Sequence, residues 1–427
     1  MKRNISLLSE FRTNRQVMKN ITWLTVLQFA NYLIPILIIP YIVRVIGVNL
    51  FGKVSYAQNI ISYFTLFVNF GFDYFATREI SVNRENKEKT NYIFWSVIKL
   101  KIILFFISFC LFIALGISFD KIKYDFVLYL IVFSLNIGVV LFPTWFFQGI
   151  EDMGTMAVFN FLIKAIGLIL TFLFVKKAND YLLYPLFLSL SYVVAGVISF
   201  IYVLKKYHFH FQFTSKSFDL DLLKKSSPIF LNNLFVSFYT LANLTILGFY
   251  KSDFEVGIYS GAYKIISAIL MVTSMPLNTA VFPMISREFS HSIANGIRLL
   301  KRMIRYSSFL LIILFILLLL SSKIIIQVLL GNNFVESIPV FKIFSLLPLL
   351  VTVASLLTVQ GLYGLQLQKY APYVGFTIGI ISISLNLFFI PKYGIVSTAW
   401  IWVASELIEI LFVSFLLKKH LKKIYEN

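Results

Sequence analysis

The chain has 427 residues, of which 59% are hydrophobic, 17% aromatic and only 13% charged, whereas soluble domains carry about 25% charged residues. That deficit excludes a soluble enzyme, a disordered regulator and a fibrous protein, and places the working parts inside a bilayer. The 38 Lys and Arg against 19 Asp and Glu do not read as nucleic-acid binding, because the basic residues cluster between apolar runs, where they orient membrane spans.

Residues 1–19 are polar and basic, and the apolar run that follows reaches Val43. It is too long for a signal-peptide core and lacks a small-residue cleavage pattern, so an uncleaved first helix is expected. Apolar runs bounded by charges or turn residues predict an all-α polytopic membrane protein with transmembrane helices at 21–44, 54–76, 93–118, 126–148, 155–175, 182–204, 227–250, 257–283, 306–330, 339–362, 371–390 and 395–417. Pro35, Pro40, Pro143, Pro276, Pro283 and Pro348 fall inside these spans and predict kinks. The connections are too short for a folded extramembrane domain. The single cysteine, Cys110, lies in an apolar run and supports neither a disulfide framework nor a metal site.

Sorted by connection, 24 of the 38 Lys and Arg fall on the side of the N-terminus, nine on the other side and five within spans. The basic excess predicts that both termini are cytoplasmic. The same split supports an even number of spans, and the chain carries an internal repeat. At an offset of about 205 residues, Gly52, Ser55, Ala57 and Ile60-Ile61-Ser62 align with Gly257, Ser260, Ala262 and Ile265-Ile266-Ser267; Arg78-Glu79 and Gln148-Gly149 match Arg287-Glu288 and Gln360-Gly361 at slightly larger offsets. The expectation is two pseudo-symmetric six-helix lobes, 1–204 and 227–427, joined by a basic cytoplasmic linker at 205–226 and enclosing a central cavity that alternates its access.

Ionisable residues deep in a membrane are costly and tend to face a cavity or one another. Lys164, near the middle of span five, and Lys264, in span eight, are the expected contacts for an anionic substrate group such as a phosphate; Lys342 lies close enough to a span end to snorkel. Glu406 and Glu409, three residues apart on one face of the last span, are the candidates for ion coupling, since a carboxylate pair suits a proton-coupled carrier. Gln28, Asn31, Asn59, Asn232, Asn233 and Gln148 with Trp145 are the polar and aromatic candidates for a sugar-binding cavity. Asp219 and Asp221 read as the first turn of a short interfacial helix ending at Lys224-Lys225. The sequence offers no phosphate-binding glycine loop and no metal-ligand spacing, so no cofactor or metal is expected.

Four segments carry a family resemblance: Trp145-Phe-Phe-Gln-Gly-Ile-Glu-Asp-Met153; Pro40-Tyr-Ile-Val-Arg-Val-Ile-Gly-Val-Asn-Leu-Phe-Gly52 with Tyr56-Ala-Gln58; Asn69-Phe-Gly-Phe-Asp73 with Arg78-Glu79; and Pro228-Ile-Phe-Leu-Asn-Asn233. With the span layout, they resemble the Wzx polysaccharide (O-antigen repeat-unit) flippases, relatives of the MATE exporters and of the lipid II flippase MurJ in the MOP superfamily. The resemblance implies a carrier of the bacterial inner membrane that moves undecaprenyl-diphosphate-linked oligosaccharides from the cytoplasmic to the periplasmic leaflet. Its implied partners are that lipid-linked substrate, membrane lipids and the polysaccharide polymerase and chain-length machinery. The alternative is a proton- or sodium-coupled multidrug antiporter of the MATE type, which would favour anionic residues in the first span, where there are none. A membrane glycosyltransferase or polymerase would need a longer extramembrane loop than this chain has.

Overall fold

The computed structural model describes residues 37–426, with side chains throughout except at 275–283, 286, 290 and 423–426. Most of the first expected span, and with it Gln28 and Asn31, therefore lies outside the described residues. Every element described is helical, as a bilayer requires of a chain whose backbone groups must pair internally.

Among the described residues nine helical stretches, some made of consecutive helices, or ten if one bent pair counts as a single span, are long and apolar enough to cross a membrane. Helix α1 (37–69) ends at a turn in which Phe70 and Gly71 both take positive φ, 43° and 77°. A short helix α2 (Phe72–Val82) follows, then α3 (Lys87–Ser118), whose first turn is capped by Asn86 accepting from the Lys89 amide at 3.0 Å. The fourth expected span is broken into pieces: α4 (Asp120–Tyr124) precedes it, and α5 (Phe126–Phe133), α6 (Leu135–Leu141) and α7 (Thr144–Gly149) make it up. The break before α7 falls at Pro143, as its missing N–H and fixed φ dictate. Helices α8 (Met153–Phe174) and α9 (Leu183–Tyr207) complete this half.

The segment expected to be a linker is mostly helix. Only the residues from His208 to Ser215 are non-helical; α10 (Lys216–Thr240) begins there with Asp219 in its first turn and runs on across the predicted start of span seven. It bends by 44° into α11 (Ala242–Tyr250). Helices α12 (Asp253–His291), α13 (Ile293–Leu329), α14 (Ser337–Phe344) and α15 (Leu347–Ser355) follow, and α15 continues as a π-helical stretch over Leu356–Leu362. The last helix, α16 (Ala371–Glu426), contains both final expected spans, divided where Gly394 leaves the helix at φ 60° and ψ −139°.

The chain forms two compact units that interleave in sequence: residues 60–230 belong to one and residues 39–59 with 231–427 to the other. The core of the first is aromatic, with Phe72, Phe94, Trp145, Phe146 and Phe147 all buried together with Ala76 and Ile80. Glycines set its helix spacing. A Cβ on Gly138 of α6 would strike the backbone at Tyr192 of α9, and one on Gly149 would lie 2.6 Å from the Ile80 side chain and 2.9 Å from the Thr77 carbonyl. The second unit packs Phe51 of α1 edge-on to Phe334 at 6.0 Å and buries Leu362, Leu367, Val374, Ile378, Val413 and Leu417 in one cluster. Here the repeat-related glycines meet. A Cβ on Gly52 would collide with the Asp253 carbonyl and one on Gly257 with the Val48 carbonyl, so α1 and α12 cross backbone to backbone on them.

Candidate functional site

The second unit holds the candidate cation in a defined cradle. Lys264, half-buried on α12, donates from Nζ to Oε1 of Gln58 at 3.2 Å and lies 4.7 Å from the centre of the Phe51 ring. Neither partner is charged, and Lys264 has no ion pair among the described residues. A charge-assisted hydrogen bond and a ring quadrupole orient the ammonium while leaving its net charge for an incoming anion. Lys164 sits in α8, in the first unit, half-buried and about halfway along the helix.

The carboxylates of α16 are both engaged. Glu406, 5% exposed, accepts from Nε1 of Trp402 at 3.1 Å, one turn earlier on the same helix. Glu409, half-buried, accepts from Oγ1 of Thr358 at 2.9 Å. Thr358 belongs to the π-helical stretch Leu356–Leu362, where the backbone ladder is already one residue out of register. The pair thus couples α16 to the one segment of the adjoining helix whose hydrogen bonding is irregular. Sequence spacing gave the two acids one helix face; the π-helical partner had no sequence signal.

The amides divide into two groups. Asn59 is buried and donates to the Leu241 carbonyl at 3.1 Å and to Oγ1 of Thr245 at 2.8 Å. Those acceptors lie at the α10–α11 bend, so Asn59 ties α1 to the bend. Asn232 and Asn233, half-buried on α10, make no side-chain hydrogen bond among the described residues and keep their amides available to a ligand.

Trp145 is a correction to the sugar-stacking expectation. Its ring is fully buried against Phe94 at 5.6 Å and Phe146 at 6.2 Å, inside the aromatic core of the first unit, and offers no face to a ligand in this conformation. The motif around it builds a corner. Thr77 of α2 donates to the Trp145 carbonyl at 3.1 Å and to Oε1 of Gln148 at 3.4 Å, Gly149 lets α7 press against α2, and Glu151 turns the chain with φ 62° while pairing with Arg84 at 3.1 Å. Asp152 then caps α8 through the Thr155 amide and hydroxyl, at 3.2 and 2.9 Å, and pairs with Lys206 at 3.0 Å. Partial burial works against ionisation of Asp152, but the hydrogen bonds from Lys206 and Thr155 and the nearby ammonium outweigh it and hold the carboxyl below the usual carboxylate range.

Two polar assemblies join residues that the sequence did not associate with one another. Lys101 of α3, 1% exposed, donates to Oδ1 of Asn69 at 3.0 Å and reaches the Val139 carbonyl at 3.4 Å, bracing the end of α1 next to the positive-φ turn. Lys99 pairs with Asp219 at 2.7 Å; Asp219 also accepts from Thr214 at 3.1 Å and from Ser96, which fixes the first turn of α10 to α3. Asp221, in the next turn, pairs with Lys225 at 2.6 Å.

A model of the family described as polysaccharide biosynthesis protein matches residues 17–289. The chain is 26% identical over 373 residues to a protein of Escherichia coli (strain K12) provisionally named an O-antigen transporter, covering 86% of this chain and 88% of that one. It is 28% identical over 406 residues to a protein of the same name from Shigella dysenteriae, covering 94% and 99%. Among solved structures, the lipid II flippase MurJ in an inward closed conformation superimposes with a TM-score of 0.73 at 15% identity, over 94% of this chain and 87% of that one. An inward-facing multidrug resistance MATE family transporter of the MOP superfamily gives 0.68 at 10% identity, over 91% and 99%. The fold is therefore that of the MurJ and MATE transporters, and, with its model spanning well over half the sequence, the chain belongs to the polysaccharide biosynthesis protein family.

Proposed function

We propose that this protein is a flippase for lipid-linked polysaccharide repeat units, carrying an undecaprenyl-diphosphate-linked oligosaccharide from the cytoplasmic to the periplasmic leaflet of the inner membrane by alternating access. The observation that carries the reading is Lys264, an ammonium kept among apolar helices by an amide and an aromatic ring without a compensating carboxylate. Such a group is costly in a membrane unless it meets an anion, and a diphosphate is the anion that a lipid-linked sugar presents. Membership of the family, the names of the two relatives and the MurJ-like fold support the same substrate class.

In this scheme Lys264 contacts the diphosphate, Asn232 and Asn233 of the same unit supply hydroxyl partners for sugars, Lys164 of the other unit is a separate candidate anion contact, and the polyprenyl tail stays in lipid. Glu406 and Glu409 couple the cycle to an ion, because a proton or cation arriving at Glu409 competes with the Thr358 hydrogen bond and so acts on the π-helical stretch. Deleting the gene from its host should abolish the lipopolysaccharide ladder on gels and leave lipid-linked repeat units on the cytoplasmic face. The wild-type gene should restore the ladder, whereas Lys264→Ala and Lys164→Ala, at wild-type abundance in the membrane, should restore it poorly. A normal ladder in the deletion strain would overturn the proposal, and full rescue by either lysine variant would remove that lysine from it.

A further inference from the structure

An apolar crevice of about 450 Å³ opens on the outer side of α16 where Gly394 divides it. Leu385, Phe389 and Tyr393 line it from the helix before the break and Val396, Trp400 and Ala404 from the helix after it. Tyr393 and Trp400 are 64% and 54% exposed, so the wall faces whatever surrounds the protein. The break is stable without any occupant, since Ser397 and Thr398 both donate to the Gly394 carbonyl, at 2.7 and 3.1 Å.

Two lysines lie beside the break that divides the walls of this crevice. The Lys251 ammonium would lie 3.8 Å from a Cβ built on Gly394, and Lys392, two residues before the break, is exposed with its Nζ 4.6 Å from the Phe388 ring. Neither lysine has an ion pair among the described residues. Glu255 also reaches Gly394, with Oε1 3.2 Å from that Cβ position, but its other oxygen is committed to the Ser252 capping box, at 3.2 Å from the backbone N–H and 3.1 Å from the hydroxyl. Two ammonium groups and one carboxylate leave a net positive charge beside the break at Gly394, next to the apolar slot. Both lysines belong to connections on the side opposite the N-terminus, where the positive-inside rule gives basic residues no topological task.

We infer that this crevice is a binding site for an anionic phospholipid: the headgroup phosphate pairs with Lys251 and Lys392, and one acyl chain lies along Phe389, Tyr393 and Trp400. The site is separate from the Lys264 cradle and does not rest on the transport reading. A neutral lipid would fill the slot equally well but would leave both ammonium groups unpaired, so charge is what selects the occupant.

Trp400 supplies the probe. The full-length protein, reconstituted into vesicles of phosphatidylcholine doped with brominated phosphatidylglycerol or, at equal mole fraction, brominated phosphatidylcholine, should show Trp400 emission, defined by subtraction of a Trp400→Phe variant, quenched preferentially by the anionic lipid. A preference of about fivefold per lysine is expected, falling at high salt, reduced in Lys392→Gln and absent in Lys251→Gln/Lys392→Gln. Lys392→Gln changes an exposed side chain and keeps the test alive if the double variant fails to fold. Equal quenching by the two lipids would overturn the inference, and so would a mass in detergent showing a second copy of the chain over this face.

Discussion

An ammonium held by an amide keeps almost all of its charge, whereas one held by a carboxylate does not, and this separates Lys264 from Lys99. Lys99 is neutralised by Asp219 and is a strut; Lys264 is oriented by Gln58 and stays electrostatically open. Replacing Gln58 by Ala should therefore weaken transport by loosening the aim of Lys264 rather than by removing the charge. Lys264→Arg should retain more activity than Lys264→Gln, because charge matters more than hydrogen-bond count. Rates of repeat-unit flipping in reconstituted vesicles would check the order, and a Lys264→Gln variant as active as Lys264→Arg would show that the charge is idle. Lys264 stood out in the sequence because a basic residue stood alone within an apolar run. Lys101 was not: it lies near Lys99 close to the start of a span, as snorkelling residues do, and only the packing of Asn69 and Val139 around it reveals its burial. Trp145 misled for the opposite reason, since an aromatic beside Gln and Gly has the composition of a sugar platform and the same residues also make a tight corner.

At the scale of elements, that corner is where small changes should be felt most. Gly149→Val would push a branched side chain into Ile80 and the Thr77 carbonyl, and overpacking of this kind costs about 1–3 kcal/mol; thermal unfolding in detergent should shift down by several degrees. Asp152 supplies the N-cap of α8, and caps of this type are worth about 1 kcal/mol. Its carboxyl titrates below the usual range in the folded protein, so its contribution is complete above the unfolded-state value and is lost as pH falls through the folded-state value. Asp152→Ala should therefore be less stable than wild type at neutral pH and should approach it as the pH falls through the folded-state value of Asp152; a gap that persisted unchanged in acid would mean that the charge contributes nothing. The helices themselves were legible because apolar runs of about 20 residues in lipid have few alternatives. Their interruptions were legible only where proline marks them, as at Pro143. The π-helical stretch, the positive-φ pair at Phe70 and Gly71, and the continuation of α10 through the expected linker depend on packing partners distant in sequence. The basic composition of 205–226 concealed a helix whose first turn is neutralised by Lys99 of α3.

For the molecule as a whole, the residues that align at an offset of about 205 have a physical use. Gly52 and Gly257 are equivalent in the two halves of the sequence, yet in the structure they face each other, where α1 crosses α12 in the unit built from residues 39–59 and 231–427. The small residues that align in the repeat, Ala57 and Ala262 with Ser55 and Ser260, are all buried, as close approach of two helices in lipid demands. The second unit thus borrows a segment of about 20 residues from the N-terminal half, and a boundary drawn along the sequence separates that segment from its partners. A chain cut within residues 208–215 and expressed as two co-produced fragments should assemble and restore the lipopolysaccharide ladder, since the cut severs non-helical backbone. The C-terminal fragment alone should insert but remain protease-sensitive, because α12 would expose Gly257 where α1 belongs. Supplying residues 39–59 on the companion fragment with Gly52→Leu should fail to rescue it. If the isolated C-terminal fragment proved as resistant to protease and as thermally stable as the assembled pair, the borrowed segment would be dispensable, and the glycine crossing would be a relic of duplication rather than a structural requirement.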